Sequence, residues 1–276
     1  MRRLRCVRLL AAISCVAASA TCALAQNPST NTPEQEDAER IADLVLANHI
    51  LADQGVVDGF GHVSVRSAKN PHHYFLSRSR APAMVSTEDI MEYDLDGNAV
   101  DARGRASYTE RFIHGEIYRI RGDVEAVVHS HSPAVIPFGV ANVPLKPISH
   151  MAGFLIKDVP VWEIREAGGN ETDMLVGNKA LGAAVANKLG NGTVVLMRGH
   201  GDAVVGRSLK TAVAHAIYTE LNARIEADAL RLGGNITFLN EKEAANIGAG
   251  VDSNVERPWE IWKNQALSRA EQRQSR

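Results

Sequence analysis

Residues 108–135 read YTERFIHGEIYRIRGDVEAVVHSHSPAV and decide the fold. Apolar residues recur at helical spacing over 108–120, whereas 126–129 is a short apolar strand. A helix that leads directly into a buried strand is typical of α/β proteins. Strand residues two positions apart point to the same face, so His129 and His131 present two imidazoles side by side. The pair suits chelation of one cation, although a solvated strand face gives the same pattern.

A second histidine signal follows another apolar strand, at residues 193–197. The strand leads into RGHG at 198–201, where glycines permit close approach of the backbone. Taken alone, His200 is more simply a turn residue, but with His129 and His131 it completes a three-histidine site with open positions for substrate. Glu110, at the start of the 108–120 helix, adds a carboxylate, and a helix-start glutamate stabilised by the macrodipole is the alternative.

Helix–strand alternation extends through both halves of the chain. Strands are predicted at 60–66, 74–77, 91–95, 99–101, 160–164, 193–197 and 203–205, and helices at 172–189 and 208–230. Asp96 and Gly97 suggest a hairpin turn between 91–95 and 99–101. Because strands occur both in hairpins and between helices, we expect an α/β fold: a three-layer α/β/α sandwich with a mixed, largely antiparallel central sheet.

The first 25 residues have the pattern of a secretory signal peptide. Four arginines precede an apolar stretch, and Ala23-Leu24-Ala25 supplies a cleavage site before Gln26. We therefore expect export to the periplasm, with a retained N-terminal anchor as the alternative. All three cysteines leave with the signal, which excludes disulfides, zinc–thiolate sites and a cysteine nucleophile from the mature chain. The mature chain is acidic, and nothing in it indicates a nucleic-acid or membrane partner.

The domain boundaries follow composition and capping signals. Residues 26–37 are expected to be a linker, 38–235 the main domain and 236–276 a C-terminal extension. Within the linker, Thr32-Pro33-Glu34-Gln35 has the capping-box pattern that opens a helix. The extension is polar with scattered aromatic residues, so we expect it to cover a neighbouring surface and to be disordered over 266–276.

Four motifs in order resemble the class II aldolase and adducin family. They are GHVSVR at 61–66, Glu110 nineteen positions before His129, the His-x-His pair at 129–131, and LMRGHGDAVVG at 196–206. The resemblance implies that His129, His131 and His200 bind a divalent metal ion. It implies that Glu110 acts as acid/base and also contacts the metal. It further implies a homotetramer with active sites at subunit interfaces.

Departures from the sugar-phosphate aldolases indicate a different substrate. His62 replaces an asparagine of the phosphate loop, and Thr109 belongs to an altered serine pair. A third segment that holds phosphate in those enzymes is replaced by Ser77, Arg78, Ser79 and Arg80. The glycine that leaves backbone amides free for phosphate is missing, whereas arginines suit a planar carboxylate. We therefore predict that these six residues bind a non-phosphorylated carboxylate substrate, with two solvated arginines as the alternative for Arg78 and Arg80.

The predicted function is a metal-dependent carbon–carbon lyase. The segments FLSRSRAP and HMAGFL resemble a branch that holds decarboxylases of hydroxylated aromatic or dicarboxylic acids, together with iron-dependent oxygenases. Aldol cleavage and decarboxylation both leave an electron pair that a cation stabilises as an enolate. Zinc is the expected metal, with iron, manganese or cobalt as alternatives. His150 lies where the aldolases carry a proton-donating tyrosine and is predicted to be catalytic, with a packed core histidine as the alternative. The alternatives are an iron oxygenase and a non-catalytic, adducin-like interaction protein.

Overall fold

The computed structural model describes residues 31–155 and 159–274. The residues from Thr32 onward form one compact unit. The predicted signal peptide, its three cysteines and residues 26–30 of the predicted linker lie outside the described residues. None of the described helices is both long enough and apolar enough to cross a membrane.

Seven strands form one sheet in the order β3-β2-β1-β4-β7-β6-β5. Their bounds are His62–Arg66 (β1), His73–Ser77 (β2), Ile90–Asp94 (β3), Ala126–Ser130 (β4), Val161–Trp162 (β5), Val194–Met197 (β6) and Gly201–Gly206 (β7). All neighbouring pairs are antiparallel except β5 and β6, which run parallel. The predicted mixed, largely antiparallel sheet is confirmed.

Helices cover both faces of this sheet, in agreement with the predicted three layers. They are Pro33–Asp53 (α1), Arg111–Ile120 (α2), Ile136–Val140 (α3), Arg165–Gly168 (α4), Lys179–Leu189 (α5), Leu209–Leu232 (α6), Glu241–Ser253 (α7) and Glu256–Gln274 (α8). Val128 of β4 packs in the core formed with α1 and α6, whereas Val127 packs in the core formed with α2 and α5. This alternation follows from the two-residue period of a strand. His129 therefore lies on the α2 side.

The predicted linker is wrong in its second half. Helix α1 begins at Pro33, capped by the Thr32 hydroxyl and the Gln35 side chain in the expected capping box. Asp37 is buried, and its carboxylate accepts hydrogen bonds from the Ser67 hydroxyl and the Ala68 amide. Residues 33–37 thus belong to the folded domain rather than to a linker.

The predicted disorder of residues 266–276 is also wrong as far as residue 274. Helix α8 runs to Gln274, and Trp259, Trp262 and Ala266 are buried in the same core cluster as α1 and α6. The Arg269 guanidinium forms an ion pair with Asp53 at the end of α1 at 2.8 Å. The extension therefore packs on its own chain.

The predicted hairpin at Asp96-Gly97 forms only in part. Strand β3 ends at Asp94, and a single bridge joins Tyr93 to Ala99. The Asp94 carboxylate accepts hydrogen bonds from the Asp96 and Asn98 amides. These side-chain contacts make a tight turn, so the second strand does not continue.

Candidate metal centre

Three histidines meet at one end of the central strands. His129 lies near the end of β4, His131 follows that strand, and His200 lies in the turn between β6 and β7. Antiparallel pairing of β4 with β7 places His129 opposite Ala203. The turn can approach β4 because residue 201 is glycine: a Cβ there would lie 1.8 Å from the Ser130 carbonyl oxygen. Backbone contact therefore brings His200 to the 129/131 pair.

Glu110 completes the cluster from the residue before α2. Its Oε2 lies 3.3 Å from Nε2 of His129 and 3.4 Å from Nε2 of His200, and Nε2 of His131 lies 3.0 Å from Nε2 of His200. All four ligand atoms lie within 4.8 Å of one another. Ligands about 2.1 Å from a tetrahedral zinc ion are separated by roughly 3.4 Å. The three separations of 3.3, 3.4 and 3.0 Å are close to that value.

Hydrogen bonds on the far side of two rings aim their Nε2 atoms at the centre. Nδ1 of His129 donates to the Asp202 carbonyl oxygen at 2.8 Å, and Nδ1 of His200 donates to the Met174 carbonyl oxygen at 2.9 Å. Such outer partners hold metal-binding imidazoles in the correct tautomer. Nε2 of His129 is buried and has no hydrogen-bond partner among the described residues. An orphaned acceptor at this point fits a divalent cation.

The charges at the centre also suit a cation. Burial alone would raise the pKa of Glu110, but His129 and His200 hold it well below the usual carboxyl range. Burial and the neighbouring His129 and His200 lower the pKa of His131 to about 4. At neutral pH the site therefore offers a carboxylate and a neutral imidazole, the states in which these groups bind metal.

A cavity of about 400 Å³ opens beside the cluster. Its volume is within the range of small-molecule sites. Besides Glu110 and His131, its lining includes four of the six predicted substrate residues: His62, Ser79, Arg80 and Thr109. The remaining lining residues are Gly59, Phe60, Ala81, Tyr108 and Leu175.

The other two predicted substrate residues lie behind this wall. Arg78 donates to the buried Asp89 carboxylate at 2.5 Å, and Arg80 reaches the same oxygen at 3.2 Å. Ser77 is buried, and its hydroxyl donates to the Tyr108 hydroxyl at 3.4 Å. Arg80 is thus the only one of these three that lines the cavity, and Asp89 orients it.

His150 lies in a different part of the chain's surface. It begins a short 3₁₀ turn, residues 150–152, and lines a second, mostly apolar cavity of about 660 Å³. That cavity is bordered by Tyr218 of α6 and Ile247 of α7. Within one chain the structure therefore does not bring His150 to the cavity that contains Glu110.

His114 is a residue to which the sequence analysis assigned no role in the site. Its Nε2 is hydrogen-bonded to Nδ1 of His62 at 2.7 Å, and its Nδ1 to the Ser64 hydroxyl at 2.6 Å. Burial lowers the pKa of His114 to about 3 and, with His114 nearby, lowers the pKa of His62 well below its usual value. Both rings are uncharged at neutral pH. The four-residue spacing from Glu110 was the available signal, because it puts His114 on the same helix face.

Phe60 was also missed, although the GFG sequence at 59–61 contained a signal. An aromatic residue between two glycines is placed by the backbone rather than by core packing. Phe60 is 71% exposed, and its ring centroid lies 6.3 Å from that of His131. It forms an apolar edge of the cavity mouth.

Comparison with known proteins agrees with this fold. The model of the Class II Aldolase and Adducin N-terminal domain matches residues 42–227. The chain therefore belongs to the class II aldolase and adducin family, as the four motifs predicted. "Decarboxylase tropJ" of Talaromyces stipitatus is 36% identical over 236 residues, covering 78% of this chain and 89% of that protein.

Two further similarities concern a decarboxylase and an aldolase. The "3,4-dihydroxyphthalate decarboxylase" of Arthrobacter keyseri is 32% identical over 230 residues, covering 78% of this chain and 89% of that protein. Among solved structures, L-fuculose 1-phosphate aldolase from Glaciozyma antarctica has a TM-score of 0.70 at 23% identity. The match covers 87% of this chain and 94% of that chain, and it supports the fold. The two decarboxylase relatives and the family match together support a lyase.

Proposed function

We propose that this protein is a divalent-metal-dependent decarboxylase of hydroxylated aromatic carboxylic acids without a phosphate group. The observation that carries the proposal is the convergence of His129, His131, His200 and Glu110 beside a cavity of about 400 Å³. The names of two relatives, both decarboxylases, support the reaction type.

His129, His131, His200 and Glu110 would hold the metal, and zinc is the ion that best suits three imidazoles. When bound, the cation would act as a Lewis acid that stabilises negative charge on a substrate oxygen. Glu110 is ionised before substrate binds and lies at the cluster, where it would accept the proton of a substrate hydroxyl group made acidic by the cation. It can then return that proton to the ring carbon that bears the carboxylate.

The step balances without an oxidant. Proton uptake at the ring carbon uses an electron pair of the ring, and the bond to the carboxylate then breaks. Carbon dioxide leaves, and the electrons of the broken bond restore the aromatic ring. The hydroxyl oxygen regains a proton from solvent as product departs, so the net change is replacement of a carboxylate by hydrogen.

Arg80, Ser79 and Thr109 supply the polar part of the cavity wall. We assign the leaving carboxylate to this wall, because a guanidinium matches a planar carboxylate. Asp89 holds Arg80 in place and also neutralises part of its charge. Reduced positive charge favours a monoanionic carboxylate over a doubly charged phosphate.

The test is metal analysis of the purified protein together with carbon dioxide release from 3,4-dihydroxyphthalate and simpler dihydroxybenzoates. We expect about one equivalent of metal per chain, and loss of both metal and activity in His129→Ala. His73→Ala removes a half-buried histidine of β2 and is the matched control that should keep both. Bound iron with oxygen consumption would instead identify an oxygenase. A protein that binds no metal and is unchanged by His129→Ala would be an adducin-like binding protein.

Location and assembly are further parts of this proposal. We propose that residues 1–25 direct export to the periplasm, which mass spectrometry of the secreted protein tests by a mature N-terminus at Gln26. We also propose a homotetramer, in which His150 serves the site of a neighbouring subunit. Light scattering measures the assembly. Mixed tetramers of His150→Ala and Glu110→Gln chains would recover activity if the two residues act across an interface.

A further inference from the structure

A buried hydrogen-bond chain runs from the cavity into the protein on the α2 side of the sheet. Nδ1 of His62 meets Nε2 of His114 at 2.7 Å, and Nδ1 of His114 meets the Ser64 hydroxyl at 2.6 Å. The Ser64 hydroxyl meets the Tyr118 hydroxyl at 2.8 Å, and Tyr118 donates to the Glu125 carbonyl oxygen at 3.5 Å. The first four side chains are at most 2% exposed.

Only one direction of donation satisfies all four contacts. The Glu125 carbonyl oxygen can only accept; besides its bond from the Arg66 amide at 2.8 Å, it takes the single O–H of Tyr118 at 3.5 Å in this direction. The Ser64 hydroxyl must then donate to Tyr118, and Nδ1–H of His114 must donate to Ser64. Nε2 of His114 is consequently bare and accepts from Nδ1–H of His62. The reversed direction leaves the contact between Tyr118 and Glu125 unmade.

This direction determines what His62 presents to the cavity. Since Nδ1 carries the proton and faces His114, the other ring nitrogen, Nε2, is bare. His62 lines the cavity together with Glu110 and His131. A bare imidazole nitrogen accepts a hydrogen bond from a hydroxyl group, whereas an anionic oxygen has no proton to offer it.

We propose that the chain from Tyr118 to His62 fixes the Nδ1–H tautomer of His62, so that Nε2 binds a hydroxyl group of the substrate. His62 is then a specificity-determining residue, and His114, Ser64 and Tyr118 are positioning residues that act through it. The identity of the ligand as a hydroxyaromatic acid rests on the proposed function, whereas the tautomer itself does not.

The first experiment measures the tautomer in the purified full-length protein labelled with ¹⁵N-histidine. Long-range ¹H–¹⁵N correlation spectra distinguish protonated from bare ring nitrogens, and His62→Gln assigns the signal. We expect a bare Nε2 in the wild type. In Tyr118→Phe the Ser64 hydroxyl loses its acceptor, and donation to His114 becomes the only way to satisfy it. The chain should therefore reverse, and His62 should carry its proton on Nε2.

Tyr93→Phe is the matched control for this variant. Tyr93 is another fully buried tyrosine, but its hydroxyl bonds to Ser107 and Met91 and not to the hydrogen-bond chain from Tyr118 to His62. We expect it to leave the His62 tautomer unchanged. A wild-type protein with Nε2–H, or a Tyr118→Phe variant with the wild-type tautomer, would overturn the proposal.

The second experiment measures recognition of the hydroxyl group. Binding of catechol is compared with that of its dimethyl ether, which has no O–H to donate. Loss of one hydrogen bond corresponds to roughly tenfold in affinity. The wild type and Tyr93→Phe should prefer catechol by roughly this factor, and Tyr118→Phe should lose the preference. Equal preference in all three proteins would refute the substrate role of His62.

The proposed function and the inference about His62 can be refuted independently of each other. If no hydroxyaromatic acid is decarboxylated, the proposed function is wrong, but the tautomer and the catechol preference still decide this inference. If decarboxylation occurs and Tyr118→Phe changes neither the tautomer nor the catechol preference, the inference alone is wrong. For an active enzyme, the effect of Tyr118→Phe should appear in KM more than in kcat, because binding of the hydroxyl group is altered.

Discussion

Glu226 of α6 provides a prediction about stability and pH. Its carboxylate is fully buried and accepts one hydrogen bond, from the Lys146 amide at 2.9 Å. The other oxygen, Oε1, has no partner among the described residues. Burial raises the pKa of Glu226 from its ordinary value of 4.5 to about 7. Replacement by glutamine removes the ionisation but keeps the shape and the accepting oxygen.

The direction of the pH effect on stability follows from the raised pKa of Glu226. Below pH 4.5 the carboxyl is protonated in both states and the pH has no effect on stability. Between 4.5 and about 7 the folded protein retains a proton that the unfolded chain releases, so stability falls as the pH rises. The full difference of about 2.5 pKa units corresponds to roughly 3.4 kcal/mol as a ceiling. Between pH 5 and pH 8 we expect a change of about 2 kcal/mol.

The assay is urea unfolding of chelator-treated wild type and Glu226→Gln at both pH values. The measured quantity is the free energy of unfolding of the variant minus that of the wild type. In this difference the contributions of other titrating groups cancel. It should be about 2 kcal/mol more favourable to the variant at pH 8 than at pH 5. Glu171→Gln, in an exposed turn, is the control, and its stability difference from the wild type should be the same at both pH values. An identical difference at both pH values for Glu226→Gln would refute the reasoning.

Four further predictions concern the centre, its supporting residues and the C-terminal helix. Metal removal by a chelator should lower the Tm by several degrees, since a metal at 100 times its Kd stabilises by about 2.7 kcal/mol, as calorimetry can measure. Gly201→Ala should abolish metal binding in equilibrium dialysis, because the new Cβ would overlap the Ser130 carbonyl oxygen. Asp89→Asn should cost about 1–2 kcal/mol at pH 7 in urea unfolding and raise the KM, because it releases Arg80. Burial would raise the pKa of Asp89, but Arg78 and Ser86 hold it at about 2. The stabilisation is therefore present above pH 3.8 and lost as the pH falls towards 2. Trp259→Ala should cost about 3–5 kcal/mol in the same assay, and a loss below 1 kcal/mol would show that α8 is not part of the core.

The central part of the fold could be predicted because its periodicity is local. The apolar run before His129 and the glycines around His200 are strand-end patterns that need no knowledge of distant partners. No local sequence pattern indicated the backbone groups that hydrogen-bond to His200 and Glu110. The Met174 carbonyl oxygen and the Val176 amide reach His200 and Glu110 from a loop whose path depends on tertiary packing.

The C-terminal helix shows a different limit. Residues 256–274 are polar on average, and this composition suggested an extension with a disordered end. The helix forms because a few apolar side chains, Trp259, Trp262 and Ala266, lie on one face and pack against α1 and α6. A narrow apolar stripe is weak in sequence, but burial of two tryptophans is enough to order the segment.

The contacts at Gly61 and Gly201 have a consequence for how the protein can change. Added Cβ atoms would lie 2.4 Å from the Val57 side chain and 1.8 Å from the Ser130 carbonyl oxygen. The turn that carries His200 is thus placed by main-chain proximity, while Phe60, Ser79 and Leu175 line the cavity. Randomised libraries at these three positions can therefore vary the cavity wall while the turn that carries His200 is left intact.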